Sequence, residues 1–210
     1  MRPASSSMLQ HVTTEDSVRL AIAHFNEANS RDPNKVLAQG AKRPRELLYA
    51  ERLEAWIYKL NPAPSLALRL AARSQHLCRF EKPRSSYPEG RIAYLKWRKE
   101  LAHFHAERAA SIMELAGIDE EVRFQVRSIQ LKQELKRNHD SQTMEDALCL
   151  SFLEFELEEF AERYNDEKVI DILQKSWRKM SEKAHGMALV LPFEGRALDL
   201  VRRATSDETS

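Results

Sequence analysis

Glycine and proline are scarce in this chain of 210 residues, at five and eight copies. Sheet sandwiches and barrels need a turn signal every ~8–12 residues, and nucleotide-binding folds need glycine loops, so the composition argues against both. Cysteine is scarcer still: Cys78 and Cys149 sit in apolar helical stretches, cannot form a disulfide framework, and point to a reducing compartment. No apolar run approaches the ~18 residues that span a bilayer. The segment Met1–Gln10 has one arginine, three serines and no apolar core, unlike a secretory leader. An excess of one charge is missing too, since 33 Lys and Arg face 32 Asp and Glu, whereas a general nucleic-acid binder carries a basic surplus or face. The expectation is a soluble, cytoplasmic protein with neither a membrane nor a general nucleic-acid partner, its oligomeric state open.

Apolar residues make up 42% of the chain, enough for one core and too many for a disordered protein. Periodicity near 3.6 and capping residues predict helices almost throughout. These cover Glu15–Asn29, Glu46–Leu60, Ser65–Phe80, Arg91–Ala116 ending at Gly117, a helix capped by Asp119 and running to about Arg137, Thr143–Tyr164, and a segment capped by Asn165 and running to about Ala184. The alanine- and leucine-rich Ser65–Phe80 helix is apolar nearly all round and should be central. Residues 39–45 read as a basic connector, 81–90 as a loop, and 187–193 as strand-like before a last helix. The predicted fold is all-α, a single compact multi-helix domain of about eight helices over residues 15–204, between a flexible N-terminus at 1–14 and a flexible tail at 205–210.

Ionisable groups in the middle of an apolar stripe cost energy unless they are paired or used. Arg69, Arg73, His76 and Phe80 fall on one stripe of the Ser65–Phe80 helix, flanked by leucines. Arg91, Arg98 and His105 fall on the core face of the Arg91–Ala116 helix, while His103 points the other way. Asp146 lies on the centre line of the Thr143–Tyr164 stripe, and Glu46 starts the stripe of Leu53 and Ile57. His76, His105 and Asp146, joined in one arrangement by Glu46, thus form a candidate interior site. Two imidazoles and a carboxylate suit one divalent metal. The same residues beside Arg69, Arg73, Arg84 and Arg91 equally suit a phosphate or carboxylate, which guanidinium groups bind in bidentate fashion. A core role for each histidine, and a helix-start capping role for Asp146 in Thr143-Met144-Glu145-Asp146, stand as the bland alternatives.

The run from Leu68 to Phe80, with Pro83–Pro88, Tyr94–Arg98, Phe104–Glu107, Gln142–Ala147 and Lys175–Ser181, resembles the uncharacterised bacterial and fungal family catalogued as domain of unknown function 4202. The resemblance covers about Val18–Leu191. The family's layout is distantly similar to HD-type metal-dependent phosphohydrolases, which are all-helical and carry their metal ligands on separate core helices. That similarity implies an HD-like fold, with His76, His105 and Asp146 as metal ligands and catalytic groups, and with Lys132 where such hydrolases carry another histidine. The only His-Asp dipeptide, His139-Asp140, stands in a polar break rather than in a buried helix. The function expected is a hydrolase-like enzyme acting on a phosphorylated or carboxylated small molecule. His76 and His105 bind metal or act as acid and base, Arg69, Arg73, Arg84, Arg91, Arg98 and Lys132 form the cationic, substrate-binding surroundings, and loop 81–90 covers the pocket. The alternative is a non-catalytic helical module that binds a partner protein or a metabolite.

Overall fold

Helix α1 (Thr14–Ser30) opens on a capping box between Thr13 and Asp16 and buries Val18, Ala21 and Phe25. The computed structural model describes residues 13–133 and 137–206. After α1 the expected connector is instead a hairpin, β1 (Lys35–Ala38) antiparallel to β2 (Ala41–Pro44). Its two turn residues, Gln39 and Gly40, have φ of +51° and +78°, the left-handed pair that lets a two-residue turn follow the strand twist. Glutamine in place of the usual Asn or Asp hides that turn in the sequence. The Arg45 N–H donates to the Asn34 carbonyl at 3.0 Å and closes the base of the hairpin.

Helix α2 (Arg45–Leu60) begins after Pro44, which offers no side-chain cap. Fully buried Asp32 supplies one from a distance. Its Oδ2 accepts the Glu46 N–H at 3.0 Å, an amide that a helix start leaves open, and its Oδ1 accepts the Asn34 N–H at 2.8 Å. Helix α3 (Leu66–Ser74) follows, capped by Ser65. Then come α4 (Arg91–Leu115) and α5 (Glu120–Gln130). Gly117, at φ +74°, ends α4 as expected: the Gly117 N–H reaches the Glu114 carbonyl and the Ile118 N–H reaches that of Met113, the paired bonds of a Schellman stop.

α3 is as central as its composition implies, with Ala67, Leu68, Leu70, Ala71 and Ala72 all buried. It packs against α1, α2, α4, α5 and α6 (His139–Phe155). It also ends at Ser74 rather than Phe80, because partners from elsewhere take over its polar groups. Gln130 donates to the Ser74 carbonyl at 3.1 Å and to its Oγ at 3.0 Å, and Asn29 Oδ1 accepts the Cys78 N–H at 2.9 Å. Cys78 there adopts the left-handed conformation, φ 54° and ψ 31°.

The predicted Thr143–Tyr164 helix is two pieces, α6 and α7 (Leu157–Arg163), broken at Glu156. The segment beyond Asn165 is likewise α8 (Asp166–Trp177) and α9 (Glu182–Leu189), so Gly186 lies inside a helix and residues 187–189 are not strand-like. α10 (Gly195–Ser206) packs on α7 and α8. The fold class is all-α, with more helices than the expected eight because of these breaks. Of the termini expected to be flexible, residues 1–12 and 207–210 lie outside the described residues, while Thr14, Thr205 and Ser206 are helical. Among the described residues no helix is long and apolar enough to cross a membrane.

Candidate functional site

Where α3 stops, the chain turns through residues 75–78 and delivers His76 and Arg79 to a cavity rather than to a helical stripe. The left-handed Cys78 makes that turn at a cost of about 1–2 kcal/mol for a residue with a Cβ. α4 contributes Tyr94, Trp97, Arg98, Leu101 and His105, spaced by threes and fours and so on one face. The end of α5 adds Gln130, Leu131 and Lys132, the last again left-handed at φ +56°. These side chains, with Gln75 and Ala102, line a cavity of about 260 Å³.

His105 is buried, and its Nδ1 stands 2.7 Å from the Leu77 carbonyl. A carbonyl only accepts, so Nδ1 carries the proton and Nε2 presents a lone pair. Burial, with a smaller push from Arg79, lowers the pKa of this imidazole to about 4, against the opposing bond to Leu77. Nε2 is buried and has no hydrogen-bond partner among the described residues. His76 meets it edge-on, the ring centroids 6.2 Å apart. Burial first, then the charge of Arg79, holds His76 well below its ordinary value as well. Two neutral imidazoles thus share a cavity edged by cations.

Among those cations Arg79 stands apart. Among the described residues its guanidinium makes no hydrogen bond or ion pair; its ring contact is with Trp97, 5.6 Å from the centroid. The Trp97 indole N–H donates to the Lys82 carbonyl at 2.9 Å, which fixes that ring. Arg98 reaches the Tyr94 hydroxyl at 3.3 Å and is exposed at the rim. Lys132 is ion-paired with buried Glu145, which Lys179 also approaches at 3.7 Å. Gln130 spends its NH₂ on Ser74 and leaves Oε1 buried and unpartnered, as is Oε1 of Gln75. A buried acceptor left without a donor costs about 1–3 kcal/mol. Arg79 also borders a second cavity, of about 390 Å³, with Arg45, Tyr49 and Glu156. Burial raises the pKa of Glu156 and of neighbouring Glu46, and the charge of Arg79 opposes it.

His76, His105, Arg98 and Lys132 therefore meet in one place, and the other expected residues do not. Asp146 is buried elsewhere: Oδ1 accepts the Ser181 N–H at 2.8 Å and a Gln142 amide hydrogen at 2.9 Å, and Oδ2 accepts the Ser181 hydroxyl at 2.6 Å. It secures the start of α9 and caps no amide of its own helix. Arg69 lies 3.6 Å from Glu15, and buried Arg73 bonds Glu54 at 3.3 Å and Asn26. Arg84 holds the loop together through the carbonyls of Tyr87 and Pro88, at 2.9 and 2.7 Å. Arg91 is exposed at the start of α4, outside the cavity lining. Glu46 pairs with Arg45 at 3.0 Å. Loop 81–90 contributes no lining residue and instead braces Trp97.

With Asp146 removed from the set, two imidazoles remain and no carboxylate joins them. Among the described residues no group of three His, Cys, Asp or Glu side chains could hold a metal ion. The positive charges of Arg79, Arg98 and Lys132 disfavour a divalent cation beside them, so the set does not fit a metal centre.

Arg79 and Gln75 escape sequence reasoning because their positions follow from where α3 stops, and Gln130 because its partner Ser74 lies 56 residues away. The one signal was that Arg79 and Gln75 flank His76 within four residues. The family model described as domain of unknown function DUF4202 matches residues 19–201. No curated protein and no solved structure matches the chain.

Proposed function

The chain belongs to the DUF4202 family, and we propose that its His76–His105 cavity binds a small phosphorylated or carboxylated molecule, with Arg79, Arg98 and Lys132 around the anion and His105 as proton acceptor. The observation that carries this reading is the pairing, in one cavity, of the Arg79 guanidinium, which makes no hydrogen bond or ion pair among the described residues, with the buried, neutral imidazole of His105. The Arg79 guanidinium, close enough to Glu46 and Glu156 to oppose their raised pKa but bonded to neither, keeps its donors for an anion. An imidazole whose Nδ1–H is tied to a backbone carbonyl has one orientation and one free lone pair, the arrangement of a general base or of an acceptor for a ligand hydroxyl. Hydrolysis of the bound molecule is the reaction class proposed for this site. Two buried thiols accord with a reducing, cytoplasmic setting.

The alternative, a non-catalytic helical module that binds a partner protein or a metabolite and whose polar residues only specify packing, draws support from the internal bonds of Asp146, Arg69 and Arg73. It leaves Arg79 and Nε2 of His105 without a role. Thermal shift of the purified chain with inorganic phosphate, pyrophosphate and citrate tests the proposal. Stabilisation by at least one anion is expected, lost in Arg79→Gln and kept in Arg69→Gln. No shift with any anion, or equal shifts in both variants, sinks it.

A further inference from the structure

Arg79 borders two cavities at once. It lines the one that holds His76 and His105, and it lines the second, of about 390 Å³, together with Arg45, Tyr49 and Glu156. Glu156 sits at the break between α6 and α7, half-buried, and among the described residues its carboxyl makes no hydrogen bond or ion pair. Nearby Glu46 of α2 is buried, binds Arg45 through Oε1 alone, and keeps Oε2 enclosed without a partner. Both carboxyls therefore share the Arg79 guanidinium as an unbonded counter-charge. Arg45 and, for Glu156, Arg52 help less, Asp32 acts against Glu46, and the two carboxyls act against each other. The other charges lining this cavity are Lys35 and the paired Arg163 and Glu159.

Burial raises the pKa of both carboxyls, and the charge of Arg79 is the largest that opposes the rise. An anion seated against Arg79 in the His76–His105 cavity offsets much of that charge for the carboxyls on its other side, because the two opposite fields reach them from similar distances. Each carboxyl then holds a proton more tightly. Coupling of this kind is reciprocal, so a proton on either carboxyl frees Arg79 from a competitor and strengthens its hold on the anion. The imidazoles face the same guanidinium, but burial holds His105 at about 4 and His76 well below its ordinary value, and burial pushes the Tyr49 hydroxyl up to about 12. Near pH 5.5 the raised carboxyls are the groups of the two cavities closest to titrating.

Resting on the anion reading of that cavity, we propose that an anion bound beside Arg79 brings a proton with it, taken up in the neighbouring cavity by Glu156 and Glu46, so that the site binds more tightly as the medium becomes acid. Calorimetric titration of the full chain with sulfate, whose own charge stays constant between pH 5 and 8, tests this at fixed ionic strength in two buffers of different ionisation enthalpy. Uptake of roughly 0.3 proton or more per sulfate is expected at pH 5.5, with affinity about twofold or more above that at pH 6.5. Glu156→Gln and Glu46→Gln should each lower the uptake, and together bring it below about 0.1 proton while sulfate still binds. Binding with no uptake, or uptake that the two variants leave intact, overturns the proton coupling while the anion site stands. Absence of sulfate binding at either pH overturns both.

Discussion

His105 turns the burial of one side chain into a measurable dependence on pH. In the unfolded chain its imidazole takes a proton near its ordinary value of 6.5, and in the folded chain burial delays that to about 4. Between those values the unfolded state binds more protons, so stability present above pH 6.5 is lost as pH falls through the window. At pH 5 the unfolded group has titrated one and a half units below its pKa and the folded group remains neutral, which amounts to about 2 kcal/mol. His76 adds to the loss in the same direction. Glu46 and Glu156, raised by burial, act oppositely, since a folded carboxyl that protonates more readily gains stability as pH falls. A total stability curve mixes these contributions, and a difference between variants isolates one. Urea denaturation of the parent chain and of His105→Asn at pH 7.5 and pH 5 is the assay. The variant is expected to be less stable at pH 7.5, because a buried ring is lost, and its deficit should shrink by about 2 kcal/mol at pH 5. A deficit equal at both pH values to within about 0.5 kcal/mol, well below the linkage expected, would refute a neutral buried imidazole.

Asp146→Ala should cost about 2–3 kcal/mol, by removing a charged acceptor from Ser181, and should leave anion binding unchanged; chemical denaturation and thermal shift read the two parts. Cys78 and Cys149, pushed up by burial to about 11 and about 12, should resist iodoacetamide at pH 8 in the folded chain and react at once in denaturant, as mass spectrometry would show. Gln39→Asn, at φ +51° in the hairpin turn, should stabilise by about 0.5–1 kcal/mol, seen as a rise in Tm.

Helix class and the central place of α3 are legible in the sequence because they depend on short-range apolar periodicity. His105 is legible for the same reason, lying on the buried stripe of a helix whose ends the sequence marks well. His76 reaches the cavity by a different path from the one its spacing implies. The stripe through Arg69, Arg73, His76 and Phe80 assumes a continuous helix, and bonds from Asn29 and Gln130 replace it with a turn after Ser74. Periodicity cannot register a partner about fifty residues away, as Asn29 and Gln130 are from their contacts. Asp146 is misread on the same ground: its partner Ser181 lies 35 residues on, and nothing local distinguishes a carboxylate that secures another helix from one that binds a ligand. The break at Glu156 leaves no proline or glycine in the sequence to announce it.

The hairpin at residues 35–44 is tied off at its own neck. The bond from Arg45 to Asn34 closes the base, buried Asp32 holds both Asn34 and the first turn of α2, and Arg43 of β2 pairs in bidentate fashion with Glu51 of α2, both bonds at 2.8 Å. The strands themselves have no fully buried residue. The exposed turn at Gln39 and Gly40 is therefore the part of the hairpin with the least hold on the rest of the protein. An epitope or fluorophore tag spliced between Gln39 and Gly40 would extend outward without shifting α2 or the cavity.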